Sequence, residues 1–126
     1  MKVLSIKEPF ASLIKDGVKV YETRSWKTTY RGEIYIHASK SISKSANSQK
    51  ALGYIKSEIN PGYILCKCKL VDCIYMDSEF INHIINETNE NDYGLYEIGR
   101  YAWKLEVIEV LKEPIFAKGK LGIWNY

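Results

Sequence analysis

Apolar and polar positions along this chain change period several times, and each change marks an element. Lys2–Ile6 carries a short apolar run at Val3 and Leu4, which predicts a first strand. Phe10, Leu13 and Ile14 share one face at three- and four-residue spacing, which predicts a short helix over Pro9–Asp16. Pro9 suits the first helical position, and Gly17 ends the helix, since the residue past a helix often needs positive φ. From Val20 the chain alternates as a strand. Glu22, Arg24 and Trp26 fall on one face, and Tyr21, Thr23 and Ser25 on the other. A third strand runs from Arg31-Gly32 through Ser39, where Ile34, Ile36 and Ala38 alternate with Glu33, Tyr35 and His37.

Ser39–Gln49 is rich in Ser, Lys and Asn and reads as a loop entering a second helix. That helix carries Leu52, Ile55 and Ile59 on one face and stops at Asn60-Pro61-Gly62. Tyr63–Met76 is the longest strand candidate, with Ile64, Cys66, Cys68 and Leu70 on one face. Asp77 or Ser78 then caps a third helix carrying Phe80, Ile81, Ile84 and Ile85. Asn86–Gly99 is polar and acidic and reads as a long mobile loop near the site. Arg100–Leu111 is a further strand on which Tyr101, Trp103, Leu105 and Val107 face one way. Lys112–Tyr126 reads as a glycine-punctuated tail. Five or so strands with three helices between them make an α+β domain.

Length and composition narrow the class. A chain of 126 residues, 46% hydrophobic and 26% charged, is expected to form one soluble domain spanning residues 1–126. No apolar run approaches the length of a membrane span, and the start has no continuous apolar stretch of the signal-peptide kind. Three cysteines without a disulfide spacing fit a reducing, cytoplasmic setting. The net charge is only +3, but it is unevenly placed. Residues 1–50 hold ten Lys/Arg against four Asp/Glu, whereas residues 51–100 hold four against eight. A basic half beside aromatics suits single-stranded nucleic acid, because phosphates want cations and unstacked bases want π-faces. A solvated lysine-rich surface gives the same pattern.

The candidate chemistry converges on Gly17–Trp26. Lys19 stands at the strand mouth, either as a base or phosphate contact or as a surface lysine paired with Glu22. Glu22 and Arg24, two apart on one face, either pair structurally or contact a ligand, and the planar fork of Arg24 suits phosphate, carboxylate or a base edge. Trp26, Tyr30, Trp103 and Trp124 are the aromatics expected to flank a cleft, with core packing as the alternative for each. His37, near Ser39 and Lys40, is either an acid–base group or structural. Cys66 and Cys68 fall on one apolar strand face, so with Cys73 they read as ordinary thiols and no metal site is expected. No Gly-rich phosphate loop or dinucleotide fingerprint is present, and no cofactor is expected.

The pattern G-x-K-x-x-E-x-R, filled by Gly17, Lys19, Glu22 and Arg24, resembles the signature of the ASCH domain family of the PUA-like superfamily. The flanks are similar too: Leu4-Ser5-Ile6 and Pro9–Ile14 before, Tyr30-Arg31-Gly32 and Ile36–Ser39 after, and the closing run Ala117–Trp124. The resemblance implies a small β-barrel of five to six strands with about three flanking helices. It further implies an RNA-binding domain that recognises single-stranded RNA or a modified nucleotide. The cleft would be lined by the motif, with Lys19, Glu22, Arg24, Trp26, His37, Ser39 and Trp124 as its binding residues. An alternative within the family is a small hydrolase using Lys19 and Glu22, either an amidohydrolase on acylated cytidine or a ribonuclease. In the amidohydrolase branch a threonine nucleophile stands at the position of Glu22, and Thr23 here is expected on the opposite strand face.

Overall fold

Val3, Leu4 and Ile6 do form a strand, and it becomes the hinge of the architecture. A computed structural model describes all residues, Met1–Tyr126. It comprises β1 (Lys2–Glu8), α1 (Phe10–Lys15), β2 (Tyr21–Arg24), β3 (Gly32–Ile42) and α2 (Ala46–Leu52). These are followed by β4 (Tyr63–Tyr75), α3 (Ser78–Glu87), β5 (Tyr101–Phe116) and β6 (Ile123–Asn125). All six strands join one sheet in the order β2-β5-β4-β3-β1-β6. Only β1 and β3 run parallel, which requires the crossover through α1 and β2. The fold is α+β, as expected, and no helix is long and apolar enough to cross a membrane.

The sheet curls almost into a barrel. In a flat sheet β2 and β1 would stand four strand spacings apart, roughly 19 Å. Yet Arg24 Nη2 on β2 donates to the Ser5 carbonyl on β1 at 2.9 Å. One arginine side chain therefore spans the seam that no backbone ladder closes. The interior holds Leu4, Ile36, Cys66, Leu70, Trp103 and Leu105, with Ala11 and Ile14 of α1 plugging one end. Cys66 and Cys68 lie here with no exposure, as their alternation expects.

Helix α1 is short, and a buried carboxylate organises its start. Glu8 Oε1 accepts from the Ser12 N–H at 2.7 Å, and Oε2 accepts from the Ser12 hydroxyl at 2.6 Å and the Asn60 N–H at 2.8 Å. These donors satisfy a charge that water cannot reach. Ser45 and Asp77 cap α2 and α3 by accepting from Ser48 and Phe80 N–H groups, as the helix signals require.

Three expectations are corrected. Helix α2 stops at Leu52 instead of reaching Ile59, because the chain turns at Gly53 and packs Ile55 against the cluster of Leu13, Ala51 and Tyr93. Leu52 is left half exposed. Segment 86–99 is packed rather than loose: it holds a single 3₁₀ turn at Glu90–Asp92, and Glu90, Tyr93 and Tyr96 are buried. The tail is largely structure. Strand β5 continues to Phe116, and β6 adds to β1 through Val3 and Trp124. Pro114 is tolerated because it falls where the β4–β5 register slips, one residue of β4, Leu65, standing against four of β5, Leu111–Pro114.

Candidate functional site

Gly17, at φ +76°, ends α1 and lets the Val18 and Lys19 N–H groups both return to the Leu13 carbonyl. That tight turn aims Lys19 inward. Its side chain is almost wholly buried, with Nζ donating to the Tyr93 carbonyl at 2.7 Å. Glu22 Oε1 lies 4.0 Å away, and the rings of Phe10 and Tyr93 stand 5.5 and 6.0 Å from the ammonium. Burial lowers the Lys19 pKa below that of free lysine. Glu22 and Glu90 pull it part of the way back, and Arg24 adds to the lowering.

Periodicity singles out no role for Glu90, yet this residue fixes the motif strand. Its carboxylate accepts from the Val20 N–H at 3.1 Å and the Tyr21 N–H at 3.3 Å, where β2 begins. Burial pushes its pKa up from the usual carboxylate range, against the pull of Val20 N–H and Lys19. Glu90→Gln offers one acceptor oxygen in place of two and brings an amide N–H toward backbone donors. It is expected to cost about 1–3 kcal/mol of stability. The check is a lower urea midpoint at unchanged slope.

Glu22 and Arg24 do share a strand face and do pair: Glu22 Oε2 accepts from Arg24 Nε at 3.0 Å and stands 2.9 Å from Nη2 in the ion pair. The guanidinium lies beside the edge-to-face pair Trp26 and Trp103, 5.4 Å from the Trp26 ring and 5.9 Å from the Trp103 ring. Nη1 has no protein partner. Thr23, expected on the opposite face, nevertheless borders the same recess as Glu22 and Arg24, and its hydroxyl accepts from the Leu95 N–H at 3.4 Å.

Across the seam, His37 Nε2 lies 2.7 Å from the Ala117 carbonyl. A carbonyl only accepts, so Nε2 carries the proton. Nδ1 lies 3.0 Å from the Ser5 hydroxyl, which completes the hydrogen-bonding of the ring. The Trp124 indole N–H donates to the same Ser5 oxygen at 3.0 Å. The chain Trp124–Ser5–His37–Ala117 thus straps residues 117–122 onto β1 and β3. Gly119 is required in that strap, because a Cβ there would stand 2.8 Å from Ser5 Oγ and 2.9 Å from His37 Cε1.

Between the motif and the strap lies a cavity of about 1000 Å³. Of the residues expected at the site, Lys19, Glu22, Arg24, His37 and Ser39 line it. Trp26 stands outside it, half exposed behind Arg24, and Trp124 is buried behind Ser5 and His37. Tyr30 and Trp103 pack against or within the core. The lining also includes Lys7, Lys40, Lys118 and Lys120, which sequence pattern does not assign to the site. The only local signal for two of them is the Lys118-Gly119-Lys120 run.

The arrangement sets six cations, Lys7, Lys19, Arg24, Lys40, Lys118 and Lys120, around a single carboxylate, Glu22. It suits a ligand that is anionic at its edge and carries hydrogen-bond donors for Glu22. The ASCH domain model matches residues 4–115 of the chain. Activating signal cointegrator 1 of Homo sapiens is 29% identical over 132 residues, an alignment covering 97% of this chain and 22% of that protein. The chain therefore spans about a fifth of the length of this relative.

Proposed function

The chain belongs to the ASCH domain family, and on that footing we propose that its cleft binds RNA, taking a single-stranded segment or a modified nucleotide against Lys19, Glu22 and Arg24. The observation that carries this reading is the charge of the cleft, six cations around one carboxylate in a recess of about 1000 Å³. Phosphates favour such a field, and the volume suits a nucleotide. Arg24 presents its unengaged Nη1 to the ligand, Glu22 accepts from an exocyclic amine or ring N–H, and Lys19 supplies charge from a dry floor. The three free cysteines, two of them buried, support a reducing, cytoplasmic setting for this role.

The test is the anisotropy of labelled single-stranded RNA with wild type and Lys19→Ala at two salt concentrations. Wild-type binding is expected to weaken steeply with salt, and Lys19→Ala to bind about tenfold less tightly. Equal binding by the variant, with an unchanged melt, overturns the role of Lys19.

A pH series adds an independent check. Lys19 attracts an anion only while protonated, and its pKa lies below the ordinary 10.5. Affinity is therefore expected to fall as pH rises through that lowered value, before exposed lysines discharge near about 10.4. Lys19→Arg should move the decline to higher pH.

One observation favours a second reading, the small hydrolase. Burial enlarges the neutral fraction of Lys19, and Glu22 Oε1 is the carboxylate oxygen that Arg24 leaves free. Glu22 would then activate water as a general base. Shortened RNA on a gel, or acyl release from acylated cytidine, each present in wild type and absent in Glu22→Gln, would establish it.

A further inference from the structure

Phe116 is 64% exposed and Leu121 98% exposed, both at the cavity mouth. Neither side chain contributes to the core, so the fold does not explain an aromatic ring held in water. The ring is nevertheless held firmly. Phe116 is the last residue of β5, and the next residue is pinned twice: the Ala117 N–H donates to the Gly62 carbonyl at 3.0 Å, and the Ala117 carbonyl accepts from His37. Tyr63 packs edge-on against the Phe116 ring, with centroids 5.4 Å apart at 71°. A fixed, exposed π-surface costs little entropy to use.

Four lysines share the cavity lining with this ring. Lys7, Lys40, Lys118 and Lys120 are all exposed, and none joins any of the protein's ion pairs. Lys118 and Lys120 flank Gly119, which lies against Ser5 and His37, so the strap fixes their backbone beside the cleft. Unpaired cations lining the same recess as a preset aromatic ring match the two recognisable parts of a single strand, its phosphates and its bases. An acidic peptide would use the lysines and leave the ring idle.

We propose that Phe116, with Lys40, Lys118 and Lys120, forms a second nucleotide subsite outside the cleft. One base stacks on the Phe116 ring while the lysines hold the flanking phosphates. The ligand is then a strand of at least two nucleotides, one in the cleft and one on the ring, rather than a free nucleoside. This rests on the reading of the cleft as an RNA site and extends it to the substrate class, single-stranded RNA.

The experiment measures anisotropy of a labelled eight-nucleotide oligoadenylate and of an abasic ribose-phosphate oligomer of the same length. The proteins are wild type, Phe116→Ala, Phe116→Trp, Lys118→Ala/Lys120→Ala and Lys19→Ala. Phe116→Ala should melt with wild type and bind oligoadenylate at least about 5-fold more weakly. Phe116→Trp should retain binding. The double lysine variant should lower the slope of log affinity against log salt by about 1.4, which is about 0.7 for each of two phosphates no longer neutralised. The abasic oligomer should bind more weakly than oligoadenylate and be indifferent to Phe116→Ala.

Oligoadenylate binding unchanged in Phe116→Ala but lost in Lys19→Ala overturns the subsite and leaves the cleft reading standing. Equal binding of the abasic oligomer, or equally effective competition by polyglutamate, assigns the surface to bare polyanions or acidic protein and overturns the proposal. Wild type that binds neither oligomer overturns the subsite together with the cleft reading.

Discussion

Trp103→Ala is expected to lower the unfolding free energy by about 3–5 kcal/mol. Trp103 is the largest of the fully buried side chains and belongs to the central cluster with Leu4, Ile36 and Leu105. Its removal leaves a cavity between β2, β4 and β5, because Trp103 sits opposite both Glu22 and Cys73 in the two ladders. The Trp26 carbonyl also loses the indole N–H that donates to it at 3.2 Å. A midpoint decrease on the order of 10 °C or more in a thermal melt is expected for a domain of this size. Trp26→Ala is the control. Trp26 is 47% exposed, and its replacement should shift the melt only slightly. If Trp103→Ala melts with wild type, the interior is not organised around this side chain.

Arg24→Ala is expected to combine a large loss of binding with a real loss of stability. The guanidinium holds Glu22 through the Nε donor and the ion pair, and its Nη2 reaches the Ser5 carbonyl across the barrel seam. Without it, Glu22, whose side chain is only 12% exposed, faces Lys19 alone at 4.0 Å. Leaving a mostly buried carboxylate so poorly paired costs about 3 kcal/mol. RNA affinity should fall about 100-fold, since a charged donor to the ligand disappears and Glu22 loses its orientation. Glu22→Ala/Arg24→Ala separates the two effects. Stability should partly recover in the double variant, because no unpaired charge remains, while binding stays lost. A double variant as unstable as the sum of its parts would place the stabilising role in the seam contact with Ser5.

Much of this architecture is legible locally. Helix α1, its end at Gly17, the cap of α3 at Asp77 and the shared face of Glu22 and Arg24 all follow from short-range periodicity and turn chemistry. What escapes depends on contacts between distant segments. Lys19 reads equally well as a surface lysine, and only the Tyr93 carbonyl, 74 positions on, makes it a buried one. Glu90 sits in an acidic stretch whose neighbours are solvated, so nothing local separates it from Asp92 or Glu97. Leu52, Ile55 and Ile59 have helical spacing, but packing of Ile55 against the cluster of Leu13, Ala51 and Tyr93 overrides it. Trp26 and Trp124 are natural candidates for the cleft because aromatics often flank one. The structure sets them one layer back, where they hold Arg24 and Ser5. Phe116 is hidden inside a stretch that Pro114 and Gly119 make look like a tail.

The strap has a consequence for how the molecule assembles in time. The Trp124 indole meets Ser5 across 119 positions of sequence. Pairings that close so long a loop form late and slowly, after strands such as β4 and β5 have zipped through nearer contacts. A refolding chain is therefore expected to regain its sheet signal before the indole of Trp124 is buried, and to acquire affinity for RNA only with that second event. Stopped-flow refolding, followed in parallel by far-ultraviolet circular dichroism and by anisotropy of a bound oligonucleotide, would display the interval. A Trp124→Phe chain, lacking the N–H that ties the ends together, should lengthen it.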